Sequence, residues 1–236
     1  MTVLRWTIRI HKWLALIIGL QIVIWMASGL VMSTLPIERV RAEHTIPAAA
    51  PPIEAGGLLP FEAVIEAAGG SVRTATLRRW TDRVVFHVVR PDDSQALIDA
   101  HTGAILTPIG REQAAAIARA GFAGDAPVSA VERFDGPNFE HRREGASWRV
   151  SFDDGEGTRL YILEENGMIS ARRNDVWRIF DVFWMLHIMD YRERTNFNHP
   201  LLIASAALAL VTVLAGLVLL VLRLMRLART RRRAAP

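Results

Sequence analysis

Two stretches, Trp13–Met32 (WLALIIGLQIVIWMASGLVM) and Leu201–Leu222 (LLIASAALALVTVLAGLVLLVL), stand near the two ends of the chain and decide how everything between them is read. About 20 apolar residues at roughly 1.5 Å rise each cross a hydrocarbon core of about 30 Å, and both runs reach that length. Outward from the runs, residues 1–12 carry Arg5, Arg9 and Lys12 without an acid. Residues 223–236 carry Arg223, Arg226, Arg229, Arg231, Arg232 and Arg233, again without an acid. Short basic flanks stay in the cytoplasm, so both termini are expected to point inward and residues 33–200 to lie outside. A cleaved signal peptide is the competing reading of the first run, since Ala27-Ser28-Gly29 offers small residues. Against it, the run continues through Leu30-Val31-Met32 with no clean A-x-A site.

Subtracting those nine basic residues from 28 Lys and Arg leaves 19 against 24 Asp and Glu, so the chain between the flanks is acidic. The positive overall charge therefore reflects topology, which gives little support to a nucleic-acid partner. Cysteine is absent, which excludes disulfides, thiolate nucleophiles and Cys-ligated metals. The exterior segment must rest on its own apolar core.

Inward from the first run, Ala48–Gly57 is rich in Ala, Pro and Gly and reads as linker. Leu59-Pro60-Phe61 followed by Val64, Ile65 and Ala68 has helical spacing, and Gly69-Gly70 ends it. Alternation then takes over. Val84, Phe86 and Val88 share one face of a strand with Arg83 and His87 on the other, Pro91-Asp92-Asp93 turns the chain, and Gln95–Asp99 returns it. The pattern recurs 64 residues later: Trp148, Val150 and Phe152 match Val84, Phe86 and Val88; Leu160-Tyr161-Ile162 matches Ala96-Leu97-Ile98; and Gly167 matches Gly103. A second helix over about Glu112–Ala120, ending at Gly121, precedes it. A duplicated α+β unit accounts for this; one sheet with accidental similarity is the alternative.

The expected organisation is a basic N-terminus (1–12), a first span (13–33), a linker (34–57), two repeats (58–110 and 111–174), an aromatic interfacial helix and turn (175–200), a second span (201–222) and an Arg-rich tail (223–236). In the interfacial segment Trp177, Phe180, Trp184, His187 and Tyr191 recur at three- and four-residue steps. Such a stripe suits a helix lying at the outer membrane surface, or a wall for a cofactor.

The unit Leu97-Ile98-Asp99-Ala100-His101-Thr102-Gly103-Ala104-Ile105 resembles the closing hairpin of PepSY domains. The opening His11-Lys12-Trp13-Leu14-Ala15-Leu16 resembles the first helix of the membrane proteins that carry such domains, the PepSY-associated transmembrane helix family, and Trp184-Met185-Leu186-His187 resembles that family's histidine before its next helix. Larger relatives have four or more spans against two here, and Ile188-Met189-Asp190-Tyr191 follows His187 where the family often has glycine. The resemblance implies an α+β periplasmic domain of duplicated PepSY-like units bracketed by two transmembrane helices. Its larger relatives include ferric-siderophore reductases that hold haem between helices, which suggests haem b and iron uptake.

Polar residues in the first span fall on one seam, His11, Leu14, Ile18, Gln21, Trp25, Ser28 and Met32, which is expected to face protein rather than lipid. In the second span Ser205, Ala209, Thr212 and Gly216 form a small-residue stripe that permits close helix approach. The two stripes pair with each other or with a second copy in a homodimer. His11 belongs at the inner boundary, and His187 and His199 at the outer one, so His11 cannot share an ion with them. All three are candidate haem ligands, since packed helices hold axial imidazoles rigidly. The competing roles are an interfacial anchor for His11 and a helix cap for His199.

No nucleophile elbow, phosphate loop or HExxH pattern occurs in the exterior segment, and His87, His101 and His141 have no paired Glu at i+4. Asp92-Asp93 and Asp153-Asp154 fit turn chemistry. Two functions remain: a non-catalytic module binding a periplasmic or membrane protein partner, by strand addition along a hairpin edge, and a haem-b electron-transfer subunit.

Overall fold

The computed structural model describes residues 2–49, 51–54 and 56–234; the side chains of 2–8, 10, 11, 219 and 230–234 lie outside the described residues. The chain divides into a terminal unit, up to Leu35 and from Ile179 onward, and a central unit, Pro36–Arg178.

The terminal unit contains two long helices, α1 (Thr2–Thr34) and α6 (Pro200–Ala234). Both are long and apolar enough to cross a membrane over Lys12–Thr34 and Pro200–Arg229. A helix apolar all round needs an apolar surrounding, and here protein does not supply it: Leu20 is 64 % exposed, Met26 70 % and Val211 64 %. The two helices pack on each other, and the half-buried positions of α6 run Leu202, Ser205, Ala209, Thr212, Ala215 at steps of three and four.

In the central unit, α2 (Ile37–Val40) and a 3₁₀ turn (Glu43–Thr45) come first, followed by α3 (Phe61–Ala67). Strands β1 (Thr74–Trp80), β2 (Arg83–Val89) and β3 (Gln95–Asp99) make one antiparallel sheet in the order β1-β2-β3. After α4 (Arg111–Ala120), strands β4 (Val128–Phe134), β5 (Ser147–Phe152), β6 (Arg159–Leu163) and β7 (Ile169–Arg173) make a second sheet in sequential order. Helix α5 (Asp175–Ile188) leads out of this unit.

Proline at Pro60 precedes the first turn of α3, where a missing N–H costs nothing, and Gly69 with φ +99° ends it in the left-handed region. Val64 of α3 and Ala68 just after it pack on Val84, Phe86, Val88 and Ile98. The opposite face of this sheet is also buried. Val85, Trp80 and Leu97 join Ile117 of α4 and Val150, Phe152, Leu160 and Ile162 of the second sheet in one core. Arg83 and His87 share this face, Arg83 exposed and His87 half-buried, and Val85 between them is fully buried.

The two closing hairpins repeat bond for bond. Asp99 N–H donates to Ala104 O and Gly103 N–H to Asp99 O; 64 residues on, Leu163 N–H donates to Met168 O and Gly167 N–H to Leu163 O. Ile98 bridges Ile105 as Ile162 pairs Ile169. The preceding strand is displaced. Ile98 pairs with Phe86, whereas Ile162 pairs with Trp148, so Trp148 takes the place of Phe86 rather than of Val84. The cause is the hairpin loop: residues 90–94 lie between the last pair Val89↔Gln95, but 152–158 lie between Ser151↔Arg159. A slip of two residues keeps every side chain on its face.

Part of the expected linker is folded. Val40, Ala42 and Thr45 are buried, Thr45 O accepts from Ala123 N–H at 2.8 Å, and Asn174 Nδ2 donates to Arg39 O at 2.9 Å, so residues 36–46 are tied to the second repeat.

Candidate functional site

Where α5 ends in the terminal unit, its His187 meets α1. Ser28 is 1 % exposed, and its hydroxyl donates to Trp25 O at 2.9 Å, the back-bond a helical serine makes to the preceding turn. A hydroxyl has one proton. Toward His187 Nδ1, 3.1 Å away, Ser28 Oγ is therefore the acceptor, and the ring carries its proton on Nδ1. In the neutral imidazole this leaves the lone pair on Nε2, which makes no hydrogen bond within the described residues. Trp25 closes the arrangement, its indole N–H donating to His187 O at 2.5 Å. A Cβ on Gly29 would come 3.3 Å from His187 Cε1, so glycine leaves the ring its place.

His199 is engaged differently. Its Nδ1 accepts the N–H of Leu201 at 3.3 Å in the first turn of α6, which puts the proton on Nε2. It acts as the cap of α6, and its free nitrogen is a donor rather than a ligand. The backbone of His11 lies inside α1, while its side chain is outside the described residues. Of the three histidines, His187 alone presents an imidazole lone pair among the described residues.

The chain between α5 and α6 is pinned by buried charge. Asp190 accepts backbone N–H groups of Arg192, Glu193, Thr195 and Asn196. Burial raises its pKa, but these amides outweigh burial and hold the carboxyl well below its usual range. Asp181 receives Arg194 at 2.5 Å, and Trp184 donates to Arg194 O at 3.0 Å while its ring meets Phe197 edge-on. The aromatic helix therefore stops at Ile188, with Met189 in the left-handed region, and Tyr191 lies in the corner beyond it.

On α1, Gln21 is half-buried, and its amide nitrogen is buried without a hydrogen-bond partner. On α6, Ser205, Ala209 and Thr212 are half-buried, and the Thr212 hydroxyl donates to Leu208 O of its own helix. Gly216 is exposed, with nothing within 4 Å of an added Cβ; the covered position at that level is Ala215.

In the central unit, His87 Nε2 bonds Gln95 Oε1 at 2.7 Å. His101 is exposed in its turn, and His141 is buried with its ring stacked on Tyr161. Asp92 and Asp154 accept backbone N–H groups of their own hairpin loops. Among the described residues no group of three or more His, Asp or Glu side chains could hold a metal ion.

One charged cluster had no sequence signal. Glu140, 6 % exposed, accepts from Arg159 at 2.8 Å and Arg178 at 2.7 Å through Oε1, and from the Tyr161 hydroxyl at 2.9 Å through Oε2. Burial pushes its carboxyl up, but Arg178, Tyr161 and Arg159 bring it below the usual value. Burial and the Glu140 charge push Tyr161 up to about 12. Each carboxylate oxygen is matched, which fits a structural role at the outer face of the second sheet. Compared with protein-family models, curated proteins and solved structures, the chain matches none.

Proposed function

We propose that this is a two-span protein of the bacterial inner membrane, both ends cytoplasmic, that presents residues 36–178 in the periplasm as a PepSY-like, non-catalytic module for a protein partner. The observation that carries the reading is the pairing of two unburied apolar helices with a twice-built hairpin unit that has its own core. The basic residues on the outer sides of both spans give the orientation. Strands β1 and β7 each end a sheet and offer an edge for strand addition. Reporter fusions test it: a fusion within Gly136-Pro137 should report periplasm and one after Pro236 cytoplasm. A cytoplasmic signal at Gly136 removes the scheme.

The lone pair on His187 favours a second reading, a haem-b electron-transfer subunit related in chemistry to ferric-siderophore reduction. When bound, haem would supply one-electron transfer. In this chain Ser28 holds the His187 tautomer that can ligate iron and Gly29 leaves the ring room, whereas His199 does not fit because its Nδ1 caps α6. Among the described residues His187 is the one candidate histidine with a lone pair to offer, so a haem held by two such histidines would call on His187 of a second copy. Protein purified after expression with ample haem decides: a Soret band and pyridine haemochrome, lost in His187→Ala, support this reading, and a colourless folded preparation leaves the first.

A further inference from the structure

A cleft of about 290 Å³ lies inside the central unit, where the end of β1 meets the end of α4 and the turn before β7. Its floor is apolar, built from Trp80, Ile117, Met168 and Ile169. Its charge is of one sign. Arg78 lies on the same side of β1 as Trp80 and donates through Nη2 to the carbonyl of Asn166 at 2.6 Å. Its Nε is buried without an acceptor, and among the described residues no carboxylate pairs with it. Arg172 is not part of the lining but stands next to it: its Nη1 donates to the carbonyl and hydroxyl of Thr45 at 3.3 and 3.4 Å, and its Nη2 is 3.5 Å from where a Cβ on the lining residue Gly121 would lie. It too has no carboxylate partner among the described residues. Arg79, the next residue along β1, also lines the cleft; its Nη2 donates to Pro52 O at 3.1 Å, and its Nε is likewise buried without an acceptor.

Burial lowers the pKa of both Arg78 and Arg172, as expected for a partly desolvated cation with no counter-charge. An anion in the cleft would relieve that. The cleft is also lined by Ala120 and Gly121, the C-terminal end of α4, which carries partial negative charge. That end disfavours a doubly charged phosphate more than a single carboxylate, and the apolar floor suits a ligand with a hydrocarbon body.

We propose that this cleft binds the C-terminal carboxylate of a peptide ending in an apolar residue, with the carboxylate on Arg78, Arg172 beside it, and the last side chain on the floor formed by Trp80 and Ile169. Naming a peptide rests on the reading of the central unit as a partner-binding module; the cation pair and its floor do not. Capture of a terminal carboxylate by a fixed set of donors is an established mode of peptide recognition.

The test is calorimetric titration of the full chain in detergent with a short N-acetylated peptide ending in Ala-Leu, with its C-terminal amide, and with inorganic phosphate. The free acid should bind, and both the amide and the acid on Arg78→Gln should bind about tenfold more weakly, the scale of a lost charge-assisted hydrogen bond. Arg73→Gln, which loses an exposed ion pair with Asp93 outside the cleft, should bind the acid as the unaltered chain does. Equal binding of acid and amide, binding of neither, phosphate binding more tightly than the acid, or undiminished binding by Arg78→Gln would each overturn the proposal. The comparison of acid with amide uses the unaltered chain, so it stands even where a variant fails to fold. A protein whose Gly136 fusion reports periplasm but that binds neither peptide keeps the module reading and loses this site. A cytoplasmic signal at Gly136 removes the module reading whatever the peptides do.

Discussion

Phe122 and Phe152 lie ring on ring, their centroids 4.1 Å apart and their planes 16° from parallel. Phe122 follows the end of α4 and Phe152 closes β5, so the stack fastens the helix of the second repeat to its sheet within the core shared by both repeats. Truncating Phe152 to Ala removes that contact and leaves a cavity, at a cost of about 3–5 kcal/mol. Denaturant unfolding of the full chain in detergent, followed by tryptophan fluorescence, should show the loss. A shift of under about 1 kcal/mol would mean that Phe152 is not core.

Acid should weaken the central unit through Glu140. Its folded pKa lies below the ordinary value, so its contribution is present above the unfolded pKa and is lost as pH falls through the carboxylate range toward the folded pKa. Glu140→Gln should unfold more easily at pH 7, by about 2–3 kcal/mol after allowance for the partly exposed arginines, and should lose part of the difference between pH 7 and pH 4. An unfolding midpoint with the same pH dependence in both proteins would contradict this assignment.

The tautomer of His187 is directly observable. Nitrogen-15 histidine spectra of the detergent-solubilised chain should show one ring protonated at Nδ1, assigned by its loss in His187→Ala. Ser28→Ala should remove the preference by deleting the acceptor. A proton on Nε2 of His187 in the unaltered chain would show that the hydroxyl of Ser28 turns toward the ring instead of toward Trp25 O.

Between the long helices, Ala209 and Gly216 should respond differently to a large side chain. Ala209 is half-buried, so Ala209→Leu should loosen the α1–α6 pair, whereas Gly216→Leu enters open space and should do little beyond improving local helix propensity. Cysteine cross-linking between α1 and α6 reads the outcome in a chain without native thiols. Equal loss of cross-linking in both variants would place the contact elsewhere on α6.

Much of this was legible because alternation and helical spacing report burial on one face. Gln95–Asp99, the glycines Gly103 and Gly167 and the helix ending at Gly121 could be read from pattern alone. Strands β1 and β4 could not. Arg78-Arg79 and Glu132-Arg133 interrupt their apolar alternation, and each lies at a sheet edge where one side of the backbone is unpaired. The folding of residues 36–46 was hidden because Val40, Ala42 and Thr45 are held by partners far along the chain. The Glu140 cluster was hidden for the same reason: Arg159, Tyr161 and Arg178 converge only after the second sheet closes. The half-buried side of α6 was nearly legible, missing by one residue between Gly216 and Ala215, since small size alone does not say which side of a helix is covered.

The unequal hairpin loops bear on how such a tandem protein can diverge. One copy has the longer loop, between β5 and β6, and the difference appears in the ladder as a step of two. A step of one would have turned Trp148, Val150 and Phe152 out of the shared core, unless a bulge absorbed it. A length change of two that moves the register leaves the buried faces where they are, whereas a change of one must be taken up within the loop or in a bulge. The two hairpins thus differ in length like ratchet positions two teeth apart, with the same set of side chains turned to the core in each.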